Sequence, residues 1–190
     1  MTSATQILRH EHEAIIRMLD AAEEVARELR ADKVVASSIL AGVVEFLQLF
    51  ADRCHHGKEE DHLFPRLAEK GMPLHHGPIG MMLYEHDCGR ALIGKMSEAL
   101  KSYAAGENEA GRKWADAAHQ YSDLLRGHIY KENNILFVMA EQLLSGSEQD
   151  ALAQEFEKVE LEKLGPGTHQ RLYALMETLF AEIFKKSKIA

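Results

Sequence analysis

The chain has 190 residues, of which 46% are hydrophobic, and its formal net charge is −8. This composition is too apolar for a disordered protein and suits one domain with an appendage. The acidic charge and the lack of a basic block argue against nucleic-acid or anionic-membrane partners, because phosphate contacts need clustered Lys and Arg. The two cysteines form no disulfide framework, so reduced thiols are expected. The unusual feature of the composition is its eleven histidines.

Neither a secretory signal nor a membrane span is expected. Residues 1–30 carry charged side chains throughout, so they lack the apolar stretch of a signal peptide. The most apolar window, residues 34–51, contains Glu45 and Gln48 and runs directly into Asp52 and Arg53. That pattern predicts a helix buried in a protein core. We therefore expect a cytoplasmic protein with no membrane partner.

Four segments with helical periodicity precede residue 147: residues 3–30, 33–70, 79–105 and 108–144. The first opens on a capping-box pattern, Ser3 followed by Gln6. In the second, Pro65 predicts a kink or an early end. Because the connections are short, the segments predict an all-α antiparallel up-down four-helix bundle over residues 1–146.

Residues 147–190 predict a C-terminal helical extension. Gly165, Pro166 and Gly167 separate a charged stretch from a last helix that begins near Thr168. One stripe of this last helix is apolar, and its members are Leu172, Leu175, Met176, Leu179, Phe180 and Ile183. The stripe must be buried either on the bundle or on a second subunit, in which case the chain forms a homodimer through this helix.

A weak internal repeat relates the two halves of the bundle. The first and third segments each contain a Glu-His pair, at His12 and at His86. The second and fourth each contain a histidine with a glutamate four residues later. These pairs are His56 with Glu60 and His128 with Glu132. The repeat predicts a bundle with approximate two-fold symmetry.

Helical spacing indicates which of these side chains face inward. His12, His56, His86 and His128 share their faces with apolar residues, whereas His10, His55 and His119 share theirs with polar or small ones. A single inward histidine is usually a hydrogen-bonded core residue. Four of them with two glutamates are costly to bury unless they form a polar network or bind metal, and metal is the simpler explanation.

Imidazole and carboxylate ligands without a thiolate suit iron, manganese or zinc. Six ligands exceed the four of a structural zinc, whereas two metal ions that share two bridging glutamates would use all of them. The ferritin-like di-iron pattern needs two Glu-x-x-His motifs, and this chain has one, Glu59 to His62. Glu59, Tyr130 and Cys88 lie within a turn of these residues, and packing or solvation is the simpler interpretation of each.

The sequence resembles the hemerythrin-like (HHE cation-binding) family over residues of about 5 to 145. The resemblance rests on residues 8–15 (LRHEHEAI), 56–65 (HGKEEDHLFP), 85–87 (EHD) and 128–132 (HIYKE). It implies a four-helix bundle with a carboxylate-bridged pair of iron ions. The implied metal ligands are His12, His56, Glu60, His86, His128 and Glu132.

Two positions depart from the oxygen-carrying members of that family. Met82 stands where they have a second histidine, and Glu132 stands where they have an aspartate. Four histidines with two glutamates look more like the subgroup that includes proteins for repairing damaged iron centres. Those proteins usually carry a cysteine-bearing N-terminal domain, which we do not expect in this chain. The lost histidine would leave more open coordination on the metals.

The sequence therefore predicts a non-haem di-iron protein that binds or reacts with a small oxidant (O2, peroxide or NO), or that handles iron under such stress. A metal-dependent sensor or interaction module that signals through the C-terminal helix is the alternative. A metal-free helical interaction protein is the third hypothesis.

Overall fold

The computed structural model describes residues 2–186, apart from the side chains of Asn108, Lys185 and Lys186. This part of the chain is all helical, as predicted, and contains no strand. Four long helices form the bundle and two shorter ones follow. In chain order the segments are α1 (Ala4–Arg30), α2 (Ser37–Phe46), π1 (Leu47–His56), π2 (Glu59–Leu63), α3 (Phe64–Glu69), α4 (Gly77–Ala104), α5 (Asn108–Lys131), π3 (Glu132–Leu136), α6 (Phe137–Leu143), α7 (Gly146–Val159), π4 (Glu160–Leu164) and α8 (Thr168–Lys186).

The π segments are wide turns within continuous helices. The second bundle helix runs from Ser37 to Glu69 without a break, and the fourth runs from Asn108 to Leu143. Pro65 does not end the second helix, which continues through it to Glu69. The π2 turn lies directly before Pro65, where a regular helix would have to accommodate a residue without a backbone N–H.

Ion pairs along α1 show that the first and fourth bundle helices are antiparallel. Arg30 at the end of α1 pairs with Asp116 in the first half of α5, and Arg9 near its start pairs with Glu141 in α6. The predicted capping box is present, since the Ser3 side chain accepts a hydrogen bond from the Gln6 amide and the Gln6 side chain accepts one from the Ser3 amide. These features confirm the predicted start of the bundle.

Two apolar clusters fill the interior, and a polar layer separates them. Along α1, Leu8 belongs to the smaller cluster and Ile15 belongs to the larger one, with the buried His12 between them. The other three bundle helices repeat this order, for example Leu125, His128 and Leu136 in the fourth. The bundle thus positions buried polar side chains at one level along its axis.

The C-terminal extension packs on this bundle. Helix α8 lies against α1 and α2, and α7 lies against α1 and π2. Within the apolar stripe of α8, Leu172, Met176, Leu179 and Ile183 are buried in the larger cluster. A Cβ atom on Gly42 would lie 2.9 Å from Leu179 Cδ1, so the absence of a side chain there permits the close approach of α2 and α8. Among the described residues, no helix is both long and apolar enough to cross a membrane.

Candidate metal centre

Seven buried side chains converge in the polar layer and form the candidate metal centre. Each offers a donor atom to one or both of two groups, and within a group these atoms lie within 4.8 Å of one another. The first group contains His56, Glu59, His86 and His128, and the second contains His12, His55, Glu59 and Glu132. Every one of these residues is at most 2% exposed.

The two glutamates face both groups. Glu132 places Oε2 3.1 Å from His12 Nε2 and Oε1 3.2 Å from His128 Nε2. Glu59 places Oε1 3.8 Å from His55 Nε2 and Oε2 3.5 Å from His86 Nε2. Each carboxylate therefore directs one oxygen toward each side, which is the arrangement that a bridging ligand requires.

Four of the five histidines are oriented by a hydrogen bond at the ring nitrogen that points away from the centre. A carboxylate or amide oxygen can only accept, so Nδ1 is the donor and Nε2 is left with its lone pair toward the centre. The Nδ1 bonds are His12 to Asn133 Oδ1 at 2.9 Å, His55 to Glu11 Oε2 at 2.9 Å, His86 to Glu60 Oε1 at 2.6 Å and His128 to Glu85 Oε2 at 3.0 Å.

His86 Nε2 and His128 Nε2 lie 3.1 Å from each other, within hydrogen-bond distance, whereas the other atoms that point into the centre have no hydrogen-bond partner. They are His12 Nε2, His55 Nε2, both ring nitrogens of His56, and both carboxylate oxygens of Glu59 and of Glu132. Leaving so many buried polar atoms unpaired costs about 1–3 kcal/mol each, more for charged groups. Coordinated cations would satisfy all of these groups together, so the residues present fit a metal centre.

The electrostatics of the centre point the same way. Burial, together with the neighbouring Glu132 carboxylate, raises the pKa of Glu59 well above its usual range. Burial alone would also raise the pKa of Glu132, but His128 and His12 hold it well below its usual range. Burial and the neighbouring His12 lower the pKa of His55 to about 4. The raised pKa of Glu59 reflects the burial of two carboxylates side by side, an arrangement that added positive charge would stabilise.

Five of the six side chains predicted from the sequence meet here, namely His12, His56, His86, His128 and Glu132. Glu60 lies outside both groups and is partly exposed. Its Oε1 accepts hydrogen bonds from His86 Nδ1 at 2.6 Å and from Arg90 at 2.7 Å. Glu59, and not Glu60, lies between the two histidine groups. His55, predicted on a polar face, completes the second group.

The register of the second bundle helix explains both differences. The segment HHGKEE contains two histidine–glutamate pairs at the same spacing, His55 with Glu59 and His56 with Glu60. Regular α-helical geometry favours the pair whose histidine follows the apolar face, but this helix is π-helical over Leu47–His56 and Glu59–Leu63. One sequence signal does include Glu59, because His55 and Glu59 have the same spacing as His128 and Glu132. His56 and Glu60 have that spacing too, so the signal does not distinguish the two glutamates.

The family model for the hemerythrin HHE cation-binding domain matches residues 3–140. This span contains all seven residues of the candidate metal centre, and the chain belongs to this family. The resemblance predicted from the sequence is thereby confirmed.

The curated relatives are mycobacterial. The uncharacterized proteins Mb2018 of Mycobacterium bovis and Rv1995 of Mycobacterium tuberculosis are each 24% identical to this chain over 168 residues. The alignments cover 88% of this chain and 65% of each relative, so the chain spans a little under two thirds of their length.

Proposed function

We propose that this chain is a non-haem di-iron protein whose two ions are bridged by Glu59 and Glu132. The observation that carries the proposal is the pair of buried carboxylates, each with one unpaired oxygen toward each histidine group. Family membership supports cation binding at this level of the bundle. A donor set of imidazole and carboxylate without thiolate favours iron, manganese or zinc, and among these iron is the redox-active choice that suits an oxidant.

The two sides of the centre are unequal. His56, His86 and His128 would give one ion three nitrogen donors, whereas His12 and His55 would give the other ion two. With the two glutamates shared, the second ion would have more open positions. Met82 would therefore leave fewer open positions than the sequence predicts, because His55 is a fifth histidine at the centre. The remaining open positions would lie on the His12 and His55 side.

When bound, a pair of ferrous ions would supply electrons, and their open positions would supply a binding place for a small oxidant. The protein orients the imidazoles through their Nδ1 bonds and excludes water. Phe137 stacks on His12 with ring centroids 5.5 Å apart, and Phe64 lies over His86 at 6.0 Å. Such apolar walls favour small uncharged ligands, so we propose that the ligand is O2, NO or peroxide, in a cytoplasmic protein that responds to oxidants or handles iron under such stress.

The test is the iron content and optical spectrum of protein purified from iron-supplied cells. We expect about two irons per chain and iron–oxo charge-transfer bands that bleach on reduction. Protein that contains no iron after such purification, and gains none when ferrous iron is added anaerobically, would contradict the proposal.

The alternative function, a metal-dependent sensor that signals through α8, has one observation in its favour. Glu11 contacts both His55 of the candidate metal centre and His169 of α8. The apolar stripe of α8 is packed on this chain's own bundle, so a homodimer or partner would need another face of the helix. Hydrogen exchange of α8 with and without iron would test this function, which requires exchange rates that change with the metal.

A further inference from the structure

Lys58 is fully buried beside the candidate metal centre, and its contacts come from three elements. Its ammonium pairs with Glu11 of α1 and, at 2.7 Å, with Glu160 Oε1 of π4. It also lies 5.9 Å from the ring centroid of Phe156 in α7. A buried ammonium is costly unless it is paired, so these two carboxylates hold Lys58 in place.

Glu11 carries this arrangement to the centre. Its Oε2 accepts the hydrogen bond from His55 Nδ1 at 2.9 Å, while its Oε1 faces Lys58 and His169 Nε2, the latter at 3.3 Å. His169 in turn stacks on Phe50 with centroids 5.2 Å apart. We call Glu11, Lys58, Glu160 and His169 the Lys58 network.

The Lys58 network is an ion-pair cluster in which the Lys58 side chain, rather than a metal ion, provides the positive charge. Donor atoms of Glu11, Cys54, Glu160 and His169 lie within 4.8 Å of one another, as they would around a metal ion. The Lys58 ammonium already supplies positive charge to two of these four residues. The network contacts the candidate metal centre through the hydrogen bond between Glu11 and His55.

The other oriented histidines depend on the bundle alone. Their Nδ1 partners Asn133, Glu60 and Glu85 all lie within residues 3–140, the span of the family match. Glu160 and His169 lie beyond it. The route from His55 thus leads outside the family domain and into the C-terminal extension.

We propose that the C-terminal extension is a working part of the metal centre, with Glu160 and His169 as positioning residues for His55. They fix Lys58 and Glu11, and Glu11 fixes the His55 ring with Nε2 toward Glu59. The inference rests on the proposed function, because it assigns a role in metal retention. Since His55 serves only one of the two groups, weakening the network affects one ion and spares the other.

The experiment measures iron release from the iron-loaded full-length protein, held anaerobic, as a colorimetric ferrous chelator is added. Glu160→Gln removes the charge that pairs with Lys58, and His169→Phe keeps the stacking on Phe50 but removes the contact with Glu11. In each variant we expect one of the two irons to be lost at a chelator concentration about 10–100-fold lower than in the wild type, with the other unchanged. Glu160→Asp, which keeps the charge, should recover most of the difference.

Glu177→Gln is the matched control. Glu177 also joins α8 to α1, through a surface ion pair with Arg17 that makes no contact with the Lys58 network. Wild-type release in both test variants, equal loss of both irons, or the same loss in Glu177→Gln would overturn the inference. A wild-type protein without iron would instead contradict the proposed function. If Glu160→Gln does not fold, His169→Phe carries the same test.

Discussion

The two histidine–glutamate pairs of the candidate metal centre have equal spacing but lie in helices of different geometry. His128 lies in the last turn of α5 and Glu132 begins the short π3 segment, so a long regular helix leads up to this pair. His55 and Glu59 lie in the π-helical part of the second bundle helix. Both members of the pair predicted in the fourth helix lie in the candidate metal centre. In the second helix His56 lies there as predicted, but it is joined by His55 and Glu59, while Glu60 lies outside both groups. The difference shows that the longer π-helical stretch of the second helix makes its inward face harder to predict from the α-helical period.

The physical reason is the rotation per residue. A turn closed by i→i+5 hydrogen bonds holds more residues than an α-turn, so neighbours are rotated by less than the α-helical 100°. Two adjacent residues can then both face inward. His55 packs against His12 with ring centroids 4.6 Å apart, while His56 stacks on His86 at 3.8 Å. Adjacent histidines thus serve opposite sides of one centre.

The largest expected effect is a difference in iron content between variants of Glu59 and variants of Glu60. Glu59→Gln removes the charge of a bridging group, so we expect it to reduce iron from about two per chain to nearly none. Glu60→Gln keeps an oxygen that can accept from His86 Nδ1 but removes the charge that strengthens this bond and pairs with Arg90, and we expect iron binding to weaken about 10–100-fold. Elemental analysis after purification checks both. Full iron in Glu59→Gln and none in Glu60→Gln would mean that the second helix is regular.

The next largest effect concerns His55 and His56, which we assign to different metal ions. Because they serve different groups, His55→Ala and His56→Ala should each leave about one iron per chain. His10, whose side chain is 72% exposed, provides the control, and His10→Ala should retain about two. Equal losses in His10→Ala and His56→Ala would contradict the assignment of helix faces.

Metal removal should destabilise the π-helical pair more than the regular one. At a free metal concentration a thousandfold above Kd, metal binding adds about 4 kcal/mol to the free energy of unfolding. That corresponds to a decrease in Tm of about 10 °C on chelation. Hydrogen exchange should then accelerate more over residues 47–63 than over residues 120–136. Uniform acceleration, or an unchanged Tm, would show that the π turns do not depend on the metal.

The smallest effect concerns the thiols. Cys54, directly before His55, is buried, and burial raises its pKa to about 12, whereas Cys88 is half-buried on α4. A raised pKa keeps the thiolate, which is the reactive form, scarce at pH 8. A disulfide reagent at pH 8 should therefore label Cys88 rapidly and Cys54 only after unfolding. Fast labelling of Cys54 in the native protein would mean that this helix faces solvent there.

Much of the fold follows from the sequence, because helix ends depend on local chemistry. The capping box at Ser3, the break at Gly165 to Gly167 and the last helix from Thr168 all lie where residue types predict them. Family membership and the convergence of five inward side chains also follow from motifs. The exchange of Glu60 for Glu59 does not, because the register of a π turn depends on packing around the whole centre. The contact of His169 with Glu11 joins residues that no local pattern relates.

The most direct measurement is anomalous scattering at the iron edge from crystals of the iron-loaded protein. We predict two peaks about 3.5–4 Å apart. One should lie among His56, His86 and His128 and the other beside His12 and His55, with Glu59 and Glu132 bound to both. A single peak, or two peaks bridged by Glu60 with Glu59 turned away, would contradict this account.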